Sequence, residues 1–151
     1  MKATFGAGCF WHVEDLLSKT KGVKSTKVGY IGGQLPNPTY EEVCTDKTGH
    51  AEAVEVEYDP NEISYEELLD VFWKNHNPTT LNRQGPDIGI QYRSVIFYHN
   101  DEQKEIAEKS KQTLEKSRQF KNPIVTEIVS TPTFYDAEEY HQKYFKKHGL
   151  S

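Results

Sequence analysis

The chain has 151 residues, with 18 Lys and Arg against 23 Asp and Glu and a net charge of -5. That length suits one domain burying roughly two-thirds of its unfolded surface, and 12% aromatics exclude a disordered chain. The acidic balance excludes a protein devoted to the phosphate backbone, and neither a span of ~20 apolar residues nor the apolar stretch of a signal peptide is present.

Residues 3–7 predict a short strand, broken by Gly6 and Gly8. Residues 10–18 predict a helix, with Phe10, Val13, Leu16 and Leu17 near helical spacing. A strand over 24–30 puts Thr26, Val28 and Tyr30 on one face, and a second over 51–58 is closed by Asp59-Pro60. The helix over 65–75 carries Tyr65, Leu68, Leu69, Phe72 and Trp73 as one apolar stripe, with Ser64 and Glu67 as its capping box. Residues 94–98 read as a strand. Residues 101–118 read as a polar surface helix with Ile106, Ser110 and Leu114 as its inner seam. A strand follows over 125–129, then a last helix capped by Asp136 with Glu139 as box partner and Tyr140, Tyr144 and Phe145 facing in. The mixture predicts an α/β or α+β sandwich with helices on a small mixed sheet. Two long connections, 31–50 and 76–91, are rich in Gly, Pro, Asn and Thr, and loops of that length are usually functional.

Cys9 follows Gly6-Ala7-Gly8 where a strand gives way to a helix. Unpaired N–H groups and the positive end of the helix dipole favour thiolate there; a buried structural cysteine is the alternative. In the strand over 51–58, side chains alternate between faces, and Glu52 falls with Val54, Val56 and Tyr58 on the apolar one. Desolvation there raises a carboxyl's pKa and makes it a proton donor near neutrality; escape of the side chain to solvent at the strand end is the alternative. Phe10 and Trp11 sit on one helical turn, so at most one ring enters the core fully and the other suits a pocket wall. Tyr40 and Tyr92 lie at the ends of the long loops, as hydroxyl donors or as rim residues.

Cys9, His12, Cys44 and His50 offer four zinc-type ligands without the paired spacing of structural zinc sites. A Cys–His hydrolase using His12, His50 or His141 lacks a local signature. His76, His99 and His148 read as ordinary loop or tail residues. Two cysteines make no disulfide framework, which points to a soluble protein of a reducing cytoplasm.

Gly8-Cys9-Phe10-Trp11 resembles the signature of peptide methionine sulfoxide reductases of the A type. The likeness continues, in order, through Gly29-Tyr30, Gly32-Gly33, Pro36-Asn37-Pro38-Thr39-Tyr40, Cys44 and Thr48-Gly49-His50-Ala51-Glu52-Ala53-Val54. Gln84-Gly85-Pro86-Asp87, Gln91-Tyr92-Arg93-Ser94 and Tyr140-His141-Gln142 complete it. The resemblance implies a ferredoxin-like α/β sandwich with a mixed sheet and long coil segments. It implies Cys9 as nucleophile, Glu52 as the acid at the sulfoxide oxygen, and Tyr40 and Tyr92 as hydrogen-bond donors to that oxygen. Asp87 orders the polar side, Phe10 and Trp11 wall a methyl pocket, and His141 supports the network. No metal or organic cofactor is implied. The substrate is methionine S-sulfoxide, free or in oxidised proteins, and the reductant is thioredoxin, glutathione with glutaredoxin, or another thiol.

Two departures stand out. His12 occupies a position where glycine is common in the family, and no cysteine follows Cys44, where many relatives carry resolving cysteines. Cys44 itself reads as a buried, inert thiol, so the expectation is a one-cysteine enzyme regenerated by an external thiol. Size and acidic charge suit a cytoplasmic monomer.

Overall fold

Three strands with β-rich, alternating sequence form the centre of the sheet: β1 (Lys2–Ala7), β2 (Val23–Ile31) and β3 (Ala51–Tyr58). The computed structural model describes residues 1–150. With β6 (Ser94–Tyr98), these strands lie in the order β6-β1-β3-β2, each antiparallel to its neighbour. Strands β1 and β2 are therefore parallel and are joined by α1 (Phe10–Ser18), while α3 (Tyr65–Lys74) lies between β3 and β6 in the chain. This is the split βαβ arrangement of a ferredoxin-like sandwich. Strand β7 (Glu127–Ser130) adds in parallel beyond β6, and β8 (Tyr135–Asp136) adds antiparallel beyond β2, which makes the sheet mixed.

The main core lies between the sheet and helices α1 and α3. Phe5, Val28, Tyr30, Val54, Val56 and Ile96 face Phe10, Leu17, Leu68, Leu69 and Phe72 there. Each fully buried apolar side chain contributes about 1.5–3 kcal/mol. Ser64 Oγ accepts from Glu67 N–H while the Glu67 carboxylate accepts from Ser64 N–H, so the box at the start of α3 forms as its sequence predicts. Ile31, Ala51, Ala53, Val95 and Phe97 make a smaller cluster on the opposite face under Phe134. Phe134 lies so close over Gly29 that a Cβ at this position would sit 2.4 Å from its ring.

The polar helix is α4 (Asp101–Lys116), whose N-cap Asn100 accepts from Gln103 N–H. Its predicted seam is only partly buried, and Gln103 and Ala107 are the buried positions. Ser110 in that seam accepts a hydrogen bond from Trp73 Nε1 at 2.8 Å. The 31–50 connection contains α2 (Tyr40–Val43), which Thr39 and Glu42 cap reciprocally. The 76–91 connection contains a hairpin of β4 (Arg83–Gln84) and β5 (Asp87–Ile88), followed by a 3₁₀ turn over Ile90–Tyr92.

The last helix departs from expectation. Tyr135 and Asp136 pair with β2 instead of capping a helix, and the following residues split into a 3₁₀ turn (Glu139–His141) and a short α5 (Tyr144–Lys147). Tertiary bonds outcompete the local cap. Gln142 accepts from Val28 N–H at 3.0 Å and donates to the carbonyls of Val28 and Ala137 at 2.9 Å each. Glu14, buried on α1, accepts from Lys143 N–H at 2.6 Å and from the Thr26 hydroxyl at 2.9 Å. Lys143 takes a left-handed backbone (φ 54°) to reach it. Tyr140 consequently points outward at 57% exposure and His141 is buried instead. The strand expected over 125–129 begins later, because Val125 N–H turns aside to the Pro78 carbonyl at 2.8 Å.

Candidate active site

Gly8 has φ +98°, and a Cβ there would meet Gln84 at 2.9 Å, so a side chain would strain the backbone and push the β4–β5 hairpin away. That backbone delivers Cys9 as the N-cap of α1, with the N–H groups of Trp11 and His12 directed at its sulfur. Burial pushes the thiol up to about 11, the Trp11 and His12 amides pull the other way, and Glu52 and Asp87 add to the rise. The resting group is thus a thiol. The helix start alone does not make the expected thiolate, because desolvation of the charge exceeds the help of two amides.

The pairing Phe5↔Val54 places Glu52 beside the point where β1 hands over to α1, opposite Tyr30 in the β2–β3 ladder. Glu52 is 2% exposed. Oε1 accepts from Phe10 N–H at 3.3 Å, and Oε2 has no partner among the described residues. Burial pushes this carboxyl up to about 8, against the Phe10 amide and with help from the Asp87 charge. It is an acid that still holds its proton at neutrality, as its place on the apolar face suggests.

Tyr40 opens α2, and its N–H donates to Glu138 Oε2 at 2.9 Å while Tyr30 OH donates to Glu138 Oε1 at 2.8 Å. One carboxylate therefore fixes both tyrosines. Burial and the neighbouring Cys44 and Glu52 push the Tyr40 hydroxyl far above its ordinary range, and burial with Glu52 pushes Tyr92 up to about 12. Both hydroxyls stay protonated and can only donate to an anionic oxygen. Asp87, Tyr92 and Cys9 all lie within reach of one another's charge.

Phe10 is buried, as one ring of the pair must be, and Trp11 is partly buried and stacks on Tyr144 at 3.8 Å between centroids. Trp11 Nε1 donates to His141 Nδ1 at 2.9 Å. The His141 ring sits among Phe10, Trp11, Tyr40 and Tyr140, with centroids 4.1–5.5 Å away. Burial lowers its pKa, so the ring is neutral; with Nδ1 accepting, the proton is on Nε2, which lacks a partner among the described residues.

A second side of Cys9 opens on a groove of about 280 Å³ lined by His12, Asn75, His76, Gln84 and Asp87. His76 is no ordinary loop residue. Its Nδ1 donates to the Phe72 carbonyl at 2.6 Å, and its Nε2 accepts from Ser94 Oγ, which also bonds Thr126 Oγ1. These bonds anchor the base of the loop that carries Asp87 and Tyr92. Burial lowers the His76 pKa from 6.5 to about 4. From 6.5 down to about 4 the unfolded chain takes up a proton that the folded one refuses, so stability falls with falling pH, by at most about 3 kcal/mol. In urea unfolding between pH 7 and 4, the stability of wild type relative to His76→Gln should therefore fall as pH falls, the Glu52 contribution being common to both.

Cys44 is exposed, contrary to expectation. The single turn of α2 buries Val43 and leaves Cys44 at its C-cap on the surface, near the hydroxyl of Tyr40. Cys9 and Cys44 are both free. His50 does not join them in a ligand set: its nitrogens engage Gly33 N–H at 3.0 Å and the Leu35 carbonyl at 2.7 Å. No cluster of three or more His, Cys, Asp or Glu able to hold a metal occurs among the described residues. Nor does any helix among them have the length and apolarity to cross a membrane.

A buried protonated carboxyl beside a helix-start thiol, walled by aromatics, agrees with the sequence resemblance, and the family comparison decides the matter. The model for "Peptide methionine sulfoxide reductase" matches residues 1–150. The chain belongs to that family. It is 64% identical over 146 residues to peptide methionine sulfoxide reductase MsrA of Methanothermobacter thermautotrophicus, across 97% of this chain and 86% of that one. Among solved structures, Mxr1 of Saccharomyces cerevisiae in reduced form superposes with a TM-score of 0.93 at 38% identity, covering 100% of this chain and 87% of Mxr1. Mxr1 in complex with Trx2 matches with a TM-score of 0.68 at 30% identity, covering 95% and 84%. As a peptide methionine sulfoxide reductase the chain is an oxidoreductase that reduces methionine sulfoxide.

Two carboxylates that brace the surroundings of Cys9 and Tyr40 are not singled out by the sequence pattern. Glu14 had a signal: with Phe10 and Leu17 it forms an i, i+4, i+7 set, so a carboxyl stands on the buried stripe of α1. Glu138 had none, since its two tyrosine partners lie 98 and 108 residues away.

Proposed function

We propose that the chain reduces methionine S-sulfoxide, free or in oxidised proteins, with Cys9 as nucleophile and Glu52 as general acid. The observation that carries this is the neutral Glu52, bonded through one oxygen to Phe10 N–H and free at the other, next to the Cys9 thiol. Sulfoxide oxygen leaves only when protonated, and a carboxyl that keeps its proton to about 8 supplies it. Tyr40 and Tyr92, held as donors, steady the oxygen; Phe10 and Trp11 receive the methyl group; Asp87 orders the polar side. The Cys9 sulfur attacks the sulfoxide sulfur, two electrons pass to the methionine, and the oxygen is accounted for as a sulfenic acid on Cys9. An external thiol then restores Cys9. The complex of the related Mxr1 with Trx2 supports thioredoxin in that part.

The active ionisation state is Cys9 thiolate with protonated Glu52, one proton fewer than the resting pair. Its population rises up to about 8, is level between about 8 and 11, and falls above. Steady-state kcat/KM for the sulfoxide is expected to follow that profile. Reduced protein mixed with one equivalent of methionine S-sulfoxide, without thiol, should release methionine and carry a trappable sulfenic acid on Cys9 by peptide mass spectrometry. Absence of methionine release overturns the proposal.

A further inference from the structure

The aromatic and tyrosine side of Cys9 accounts for most of the sulfoxide chemistry, and the groove on its other side enters that account only through Asp87. Of the groups lining it, His76 has both ring nitrogens committed, to the Phe72 carbonyl and to Ser94. Asp87 also lines it, but an aspartate side chain is by nature a much weaker base than an imidazole. Asn75 and Gln84 do not titrate, and the Gln84 amide is bonded to Asn77 on both sides. His12 remains. It is exposed, its ring meets Phe145 edge-on at 4.7 Å, and no hydrogen bond or ion pair holds the imidazole among the described residues. Its backbone N–H faces the Cys9 sulfur, and His12 and Cys9 line the same groove.

We propose that the groove receives the reducing thiol and that His12 is the general base for that thiol's attack on oxidised Cys9. This rests on the sulfenic acid chemistry proposed above. The incoming R–SH gives its proton to the His12 imidazole, and its sulfur attacks the Cys9 sulfur. An S–S bond forms as the S–O bond breaks, and the oxygen leaves as water with its own hydrogen and the proton of neutral Glu52. The proton on His12 then replaces the one Glu52 gave. The sum is R–SH plus the sulfenic acid giving a mixed disulfide and water, and a second thiol releases Cys9 with formation of R–S–S–R. A base here matters most for thiols whose pKa lies above ambient pH. It matters least for thioredoxin, whose attacking cysteine has a pKa of about 7.

The test separates the two half-reactions. Wild type, His12→Asn and His12→Gly are each converted with one equivalent of methionine S-sulfoxide, and methionine release is timed. Dithiothreitol is then added at pH 7, and loss of the sulfenic acid is followed by quenched mass spectrometry. The thiol step should fall about tenfold or more relative to methionine release in both variants. Added imidazole should restore it in His12→Gly, and with thioredoxin the deficit should shrink to less than about threefold. An undiminished thiol step, a parallel loss of both steps, failure of imidazole rescue, or equal deficits with both reductants overturns the role of His12. Absence of methionine release from wild type overturns the sulfenic acid chemistry itself.

Discussion

Cys9→Ser is expected to lower sulfoxide reduction by about 10⁴-fold or more, the scale on which loss of a nucleophile acts, with no loss of stability. A serine hydroxyl is far too weak a nucleophile toward sulfur and cannot store the oxygen as a sulfenic acid. Position 9 is the N-cap of α1, and the cysteine makes no side-chain cap there. Serine is among the best N-cap residues and its hydroxyl accepts from the Trp11 and His12 amides better than a thiol does, so the substitution adds up to about 1 kcal/mol of helix stability. Thermal unfolding together with a methionine-release assay checks both halves. Retained activity would remove Cys9 from the mechanism, and unfolding would leave the assay uninformative unless Cys9→Ala were folded and equally inert.

Glu52→Gln is expected to move activity and stability in opposite directions. An amide can donate a hydrogen bond to the sulfoxide oxygen but cannot transfer a proton, so kcat should fall about 10²-fold. The carboxyl of Glu52 is held up to about 8 from an ordinary 4.5. Below 4.5 folded and unfolded chains both keep the proton and the site costs nothing through ionisation. Between 4.5 and 8 only the unfolded chain ionises, so stability is lost as pH rises, by about 3 kcal/mol at pH 7. Glutamine has no such penalty. Denaturant titrations at pH 4, 6 and 8 should find the variant progressively more stable than wild type, with the gap closing at pH 4. A constant gap across that range would show that burial does not perturb Glu52.

The sequence identified the elements whose own pattern is strong. The α3 stripe and its box stand where spacing puts them, and Glu52 was legible because a period of two assigns it to an apolar face. The family resemblance supplied Tyr40, Tyr92 and Asp87, which no periodicity singles out. The C-terminal region was misread for a physical reason. Asp136 and Glu139 have cap spacing, but Gln142 and Glu14 capture nearby backbone across 114 and 129 residues, and such partners leave no local trace. His76 was underrated in the same way, since Ser94 and Thr126 reach it only through the fold. Cys44 was misjudged because a four-residue helix presents too little surface to bury two neighbouring side chains.

The clamp of Gln142 on β2 has a bearing on what this protein must survive. An enzyme whose family works on oxidised polypeptides meets chains that have lost part of their fold and offer unpaired backbone. An open strand margin near the reaction centre would invite such chains to add on as further strands. The paired segment of β8 ends at Asp136, and just past it the Gln142 amide occupies both the N–H and the carbonyl of Val28. With Ala137 N–H, which also reaches the Val28 carbonyl, that one side chain covers the edge of β2 at Val28, where an unfolded chain would otherwise meet a free donor and acceptor on which to pair.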